Sequence, residues 1–187
     1  MLPAASIYHF SESQWRGHHP RQHLDPKTIS TSEYDASLRA VMLHRFALSQ
    51  KLVELPDALR DRIRAHAEEY RRHVVPALRE HGVIRPLTDQ PRRDGGGERW
   101  PAFQLSAGDN HVVMAVALDG APDDCRVRPL GLSPETIYSV RLLGPGADDA
   151  DLGTVDGLGA ELAADGIALN RASGAGSWLL LIEEEDA

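Results

Sequence analysis

Apolar positions in the first half of the chain recur at helical spacing. Leu38, Val41, Met42, Phe46, Leu48 and Leu52 form one broad stripe, which predicts a helix from about Glu33 to Lys51. Ser30 or Ser32 can cap its start, and Ser30 with Glu33 has capping-box spacing. A second stripe, Leu59, Ile63, Ala67, Tyr70, Val74 and Leu78, steps by fours and threes through "ELPDALRDRIRAHAEEYRRHVVPALREHG". Pro56 suits the first turn of this helix. Pro76 should kink it or end its regular part, and Gly82 is the natural stop. Arg60, Arg62, Arg64, Glu68, Arg71 and Arg72 occupy the remaining positions, and the basic cluster Arg71, Arg72 and His73 reads as the solvated side.

From Trp100 the period shortens. "WPAFQL", "HVVMAVAL", "CRVRPL", "TIYSVRLL" and "SWLLLIEE" read as strands separated by turn residues, the pattern of a small antiparallel sandwich. "HVVMAVAL" and "WLLLI" are nearly continuous apolar runs and belong in its centre. "DGLGAELAADGIAL" fits either a turn of helix or a bent strand. Residues 83–99 include the charged, glycine-rich "DQPRRDGGGER" and read as an exposed connector. At the other end, Ser6 to Phe10 reads as a short strand that runs into a polar loop. The pattern divides the chain into a mainly helical part, 1–82, a connector, 83–99, and an antiparallel β part, 100–187. The class is α+β.

Composition narrows the partners. The chain has 187 residues and a formal net charge of −8, which speaks against a nucleic-acid binder. No apolar run approaches the ~20 residues that span a bilayer. The opening "MLPAASIYHF" lacks the basic and apolar regions of a signal peptide. Cys125 is the single cysteine, so an intrachain disulfide and a thiolate zinc cage are both excluded. These features fit a cytoplasmic protein.

The stretch with most chemistry is "SESQWRGHHPRQHLDP", residues 11–26. His18, His19, His23 and Asp25 are metal-ligating types, but their spacing matches no helix-based ligand pair, and no metal or cofactor is expected. Ser11 and Ser13 sit in no nucleophile elbow, and "GGGERW" lacks the context of a phosphate cradle. Glu12, Asp25, Glu33 and Asp35 are the right type for a glycosidase pair, yet no spacing rule selects two of them. Glu33 and Asp35 suit the first turn of a helix, where its dipole favours acids. Trp15 is the most informative residue. In a polar loop its indole offers a flat apolar face to a sugar ring, with Ser13, Gln14, Arg16 and His18 as polar neighbours. The alternative is that Trp15 packs the loop onto the body of the protein.

The order of these segments resembles the C-terminal third of microbial α-galactosidases of the melibiase and raffinose-hydrolysing type. "YDASLRAVMLHRFALSQKL" resembles a late helix of their barrel. "LPDALRDRIRAHAEEYRRHVVPALREHGVIRPL" is similar to the last barrel helix and the strand after it. "WPAFQLSAGDNHVVMAVALDG" and "GAELAADGIAL" followed by "SWLLLIEEE" resemble the first and last strands of the C-terminal β domain. The likeness covers nearly the whole chain. It departs at "FSESQWRGHHP", which does not reproduce the family's phrase at that place.

The resemblance implies the end of a (β/α)8 barrel, with one or two strands and two long helices, followed by a small antiparallel β-sandwich. It implies hydrolysis of terminal α-galactosides with retention by the parent enzyme, and no cofactor. Both catalytic aspartates would fall before Met1, so the chain itself would hold no catalytic residue and would be inactive alone. Ser13, Gln14, Trp15, Arg16 and His18 would line the sugar pocket from a rim loop. The alternative is a stand-alone carbohydrate-binding or protein-interaction module. Helix faces that lose a barrel partner would then be free to form a homo-oligomer.

Overall fold

The strand signals after residue 100 assemble around one long antiparallel sheet. The computed structural model describes residues 29–39, 42–43, 46, 52–92, 97–118, 120–144, 151–171 and 176–185. The strands are β1 (Val83–Pro86), β2 (Ala102–Ala107), β3 (Asn110–Ala117), β4 (Asp124–Val127), β5 (Ile137–Leu143), β6 (Asp151–Leu158), β7 (Ile167–Asn170) and β8 (Gly176–Glu184). Six of them form one sheet in the order β1-β2-β3-β8-β5-β6, and β4 pairs with β7 in a second. Every neighbouring pair is antiparallel. The two runs expected in the centre, β3 and β8, lie side by side there, with Val113 opposite Leu180 and Ala115 opposite Trp178.

Both faces of these central strands are covered, which is why neither run alternates with polar residues. On one face Val113, Ala115, Trp178, Leu180 and Ile182 share a core with Val127, Ile167 and Leu169 of the small sheet. Trp100 and Trp178 stack at 4.7 Å in this core, and the Trp100 indole N–H donates to the Pro122 carbonyl at 2.9 Å. On the other face Val112, Met114, Leu179 and Leu181 pack against Val74 and Ala77 from the helices. The arrangement is helices, large sheet, small sheet.

The helical part contains α1 (Thr31–Arg39), a 3-10 turn at Leu52–Glu54, α2 (Asp57–Glu69), a π-helical turn at Tyr70–Val74 and α3 (Val75–Arg79). The expected first helix therefore ends its regular run at Arg39 within the described residues. Most of its predicted continuation to Lys51, and the strand predicted at 6–10, lie outside them. Tyr34 and Leu38 of α1 meet Leu55, Leu59 and Ile63 in a separate apolar seam. The second helix keeps its predicted stripe and runs past Pro76 to Arg79, but its regular α form is interrupted before the proline. Proline cannot donate to the carbonyl four residues back, and its ring crowds that carbonyl. The helix meets this conflict by widening to the π turn just before Pro76. Leu38 of the first stripe and Leu59, Ile63 and Val74 of the second are thus covered inside the chain. Leu52 and Val53 are the exposed large apolar side chains of the described helical part.

The stop after α3 is shared by two residues. His81 takes the left-handed conformation at φ 60°, and Gly82 donates to the Ala77 carbonyl at 2.8 Å. A Cβ on Gly82 would stand 2.6 Å from that same oxygen, so only glycine fits the approach.

Two boundaries differ from expectation. The stretch 83–99 opens with β1, which pairs with β2 from Val83↔Ser106 to Pro86↔Phe103, so the sheet begins where a connector was expected. The strand β6, "DLGTVDGL", is not among the strands expected from the sequence. The ambiguous "DGLGAELAADGIAL" resolves into both of its readings, α4 at Gly159–Asp165 and then β7. The partial barrel is not seen as such, because among the described residues no two strands pair in parallel.

Candidate functional site

The rim-loop residues expected to touch sugar, Ser13, Gln14, Trp15, Arg16 and His18, lie outside the described residues, as do His19, His23 and Asp25. Among the described residues no group of three His, Cys, Asp or Glu side chains could hold a metal ion. What the structure does assemble is a buried ionic cluster where α1 and α2 meet the sheet.

Helical spacing builds it. Asp35 and Arg39 stand four apart on α1, and Arg62, His66 and Glu69 are four and three apart on α2, so each set shares one helix face. Arg62 grips Asp35 with two parallel bonds, Nε to Oδ1 and Nη2 to Oδ2, both 2.7 Å. The His66 ring lies between two carboxylates, with Nε2 2.9 Å from Asp35 Oδ1 and Nδ1 3.0 Å from Glu69 Oε2. Arg39 Nη2 is 3.5 Å from Glu69 Oε1. Its Nη1 donates to the carbonyls of Gly144 and Ser177, the latter at 3.1 Å. Asp35, Arg39 and His66 are each at most 1% exposed.

An imidazole facing two carboxylates satisfies both only when each nitrogen carries a proton. Burial works to lower the His66 pKa, but its bonds to Asp35 and Glu69 outweigh burial and raise it. Burial works to raise the Asp35 and Glu69 carboxyls. For Asp35 the bonds from His66 and Arg62 outweigh it, and for Glu69 those from His66 and the charge of Arg39 do, so both end below the usual range. Tyr34, beside them in the seam, is pushed up to about 12 by burial alone.

One expectation changes here. Asp35, expected as a first-turn acid, is the fifth residue of α1, beyond its first turn, and is buried and paired. Arg62, one of the charges beside the apolar stripe, is committed to Asp35. The available signal was the repeat of opposite charges at three- and four-residue steps on two consecutive helices. It points to a contact only once the helices are known to pack.

A second polar group is buried in the sandwich. Gln104 Nε2 donates to the Leu130 carbonyl at 2.7 Å and lies 3.1 Å from His111 Nδ1, while its Oε1 accepts from the Leu130 N–H at 2.9 Å. Ser106 Oγ is 3.0 Å from the same His111 nitrogen. Burial lowers the His111 pKa and keeps the ring neutral. Cys125 is half-buried, and burial pushes its thiol up to about 12, which removes it as a nucleophile near neutral pH.

No protein-family model matches the chain, and no curated protein matches it. Solved structures do. The galactosidase domain of an α-galactosidase–sucrose kinase matches at TM-score 0.63 and 19% identity, over 89% of this chain and 21% of that one. A GH36 α-galactosidase from Geobacillus stearothermophilus matches at TM-score 0.62 and 19% identity, over the same shares. The α-galactosidase from Lactobacillus brevis matches at TM-score 0.60 and 14% identity, over 81% of this chain and 20% of its own. The resemblance to α-galactosidases expected from the sequence therefore holds at the level of fold. The chain spans about a fifth of the length of these structures. No helix among the described residues is long and apolar enough to cross a membrane.

Proposed function

We propose that this chain is the helix-and-sandwich unit of a glycoside hydrolase related to α-galactosidases, and that it performs no hydrolysis by itself. On this reading α1 to α3 are the closing helices of a (β/α)8 barrel, and the two sheets are its C-terminal β domain. The parent enzyme cleaves terminal α-galactosides with retention, using two carboxylates about 5 Å apart. The support is a fold match over nine-tenths of this chain to a fifth of such enzymes. The state of the buried acids agrees with it. Asp35 is the one fully buried carboxylate among the described residues, and it is held by Arg62 and His66. A nucleophile must be free to attack, and an acid/base group must be able to hold a proton at working pH. Asp35, with its lowered pKa and filled hydrogen bonds, does neither.

In the parent enzyme Ser13, Gln14, Trp15, Arg16 and His18 contact sugar hydroxyls from a rim loop. The single thiol of Cys125 supports work in the reducing cytoplasm. The test is an assay of the pure 187-residue protein on 4-nitrophenyl α-galactoside. No turnover is expected, and measurable hydrolysis overturns the non-catalytic reading.

A further inference from the structure

We infer that the cleft between the π turn and the end of the β3–β8 pair binds a neutral, polyhydroxylated ligand of one pyranose ring. The cleft has a volume of about 210 Å³. That is below the ~300–1,000 Å³ of sites for drug-sized molecules, so its ligand is small.

Its walls combine two kinds of surface. Ala77, Val112 and Leu181 are buried and form an apolar floor. Arg72, His73, Glu80, Asn110 and Glu183 form an exposed or half-buried polar rim. This rim matches neither an anion, which would meet Glu80 and Glu183, nor a cation, which would meet Arg72. Burial lowers the His73 pKa, so its imidazole is neutral and offers one donor and one acceptor. The rim therefore presents donors from Arg72, acceptors from the two glutamates, and both from His73 and Asn110. A ring bearing several hydroxyls, each a donor and an acceptor, satisfies such a set, and its C–H face suits the floor.

The backbone supplies an independent observation. Arg72 and His73 belong to the π turn, and π turns within helices recur at functional sites. Pro76 explains why the turn can form at this place. The consequence is that two polar side chains of the turn line this cleft at the junction of helix and sheet.

The inference goes beyond the non-catalytic reading and does not depend on it. The experiment is a titration of the 15N-labelled chain with methyl α-galactoside and, separately, methyl α-glucoside, followed by amide shifts. Saturable shifts are expected with at least one glycoside, centred on Arg72, His73, Asn110, Val112 and Glu183. Glu183→Gln and Asn110→Ala alter exposed side chains and should keep the parent spectrum elsewhere. Each should weaken binding about tenfold, the loss of one good hydrogen bond. Absence of saturable shifts with both glycosides overturns the proposal, as does saturation by acetate or ethanolamine in their place. Shifts that saturate but survive both substitutions also overturn it. Hydrolysis of a nitrophenyl galactoside would sink the reading of the previous section and leave this result unchanged.

Discussion

The Arg39 guanidinium donates to the Ser177 carbonyl at 3.1 Å, across 138 residues of chain. One end of the side chain is thus fixed to the start of β8, and Nη2 reaches toward Glu69 on α2. Arg39 is 0% exposed, so its charge is compensated by these partners and not by water. Arg39→Met keeps most of the volume but leaves two carbonyls without their donor and Glu69 with His66 as its remaining described partner. Breaking one partner out of a buried ion pair costs about 3–5 kcal/mol. Urea unfolding should show a loss of that size with an unchanged m-value. A loss below about 1 kcal/mol, the range of surface pairs, would mean that the junction is wetter than it looks.

The cluster also makes stability depend on pH in two directions. His66 is raised, so its contribution is full below about pH 6.5 and fades as pH climbs through its higher folded value. Asp35 and Glu69 are lowered, so theirs is present above about pH 4 and fades as pH falls through their folded values. His73 and His111 are lowered and destabilise the fold as they take up protons below about pH 6.5, which masks part of the His66 gain. The clean readout is therefore a difference. His66→Gln should cost more at about pH 6 than at about pH 10. A cost that is flat across this range would show that His66 is neutral between its two carboxylates.

How much of this was legible in the chain follows from where each residue's partners sit. β3 and β8 could be found because burial on both faces writes an unbroken apolar run. The stripe from Leu59 to Leu78 was visible because each helix has one apolar side. β6 was hidden. Gly153, Gly157, Asp151 and Asp156 give "DLGTVDGL" a poor strand composition, and as an edge strand it pairs on one side with β5. β1 was absorbed into a polar connector because only four residues pair. The ionic cluster was the least visible. Arg62 and Glu69 look like any solvated helix charge until Asp35 and Arg39 arrive from another helix, and that is a tertiary event. Residues 11–26, which hold most of the candidate chemistry in the sequence, lie outside the described residues.

A glycine offers a sharper check on the sandwich. Gly159 is buried at the start of α4, and a Cβ there would run into the Ser133 carbonyl and the Leu132 side chain. Its own N–H donates to the Thr136 carbonyl at 2.9 Å, which holds the turn 133–136 against it. Neither group is a flexible side-chain end. Gly159→Ala should therefore destabilise by about 1–3 kcal/mol, the usual range for overpacking. Thermal unfolding of the variant measures it, and an unchanged midpoint would place the turn away from α4.

Cys125 should be slow to modify. Its thiol is half-buried and pushed up to about 12, and the thiolate is the reactive form. Reaction with Ellman's reagent at about pH 8 should be slow in the folded protein and fast in urea. Equal rates in both conditions would contradict the placement of β4 against β7.

Limited proteolysis tests the architecture as a whole. The loop after β1 is pinched by a bridge between Pro91 and Gly97, and Arg92 within it is exposed. Trypsin should therefore cut first after Arg92, as exposed loop tips favour. Sequence alone predicts that residues 100–187 then survive as a resistant core, with the helical part released. The structure predicts otherwise. β1 stays paired with β2, and Val74 and Ala77 remain packed on Leu105, Leu179 and Leu181. Arg39 adds its bonds to Gly144 and Ser177. Each fully buried aliphatic side chain contributes about 1.5–3 kcal/mol, so several together hold the nicked halves in place. The two fragments should co-elute in gel filtration and separate only in denaturant. Prompt release of the N-terminal fragment in native buffer would show that the helices dock weakly, and that the sandwich folds without them.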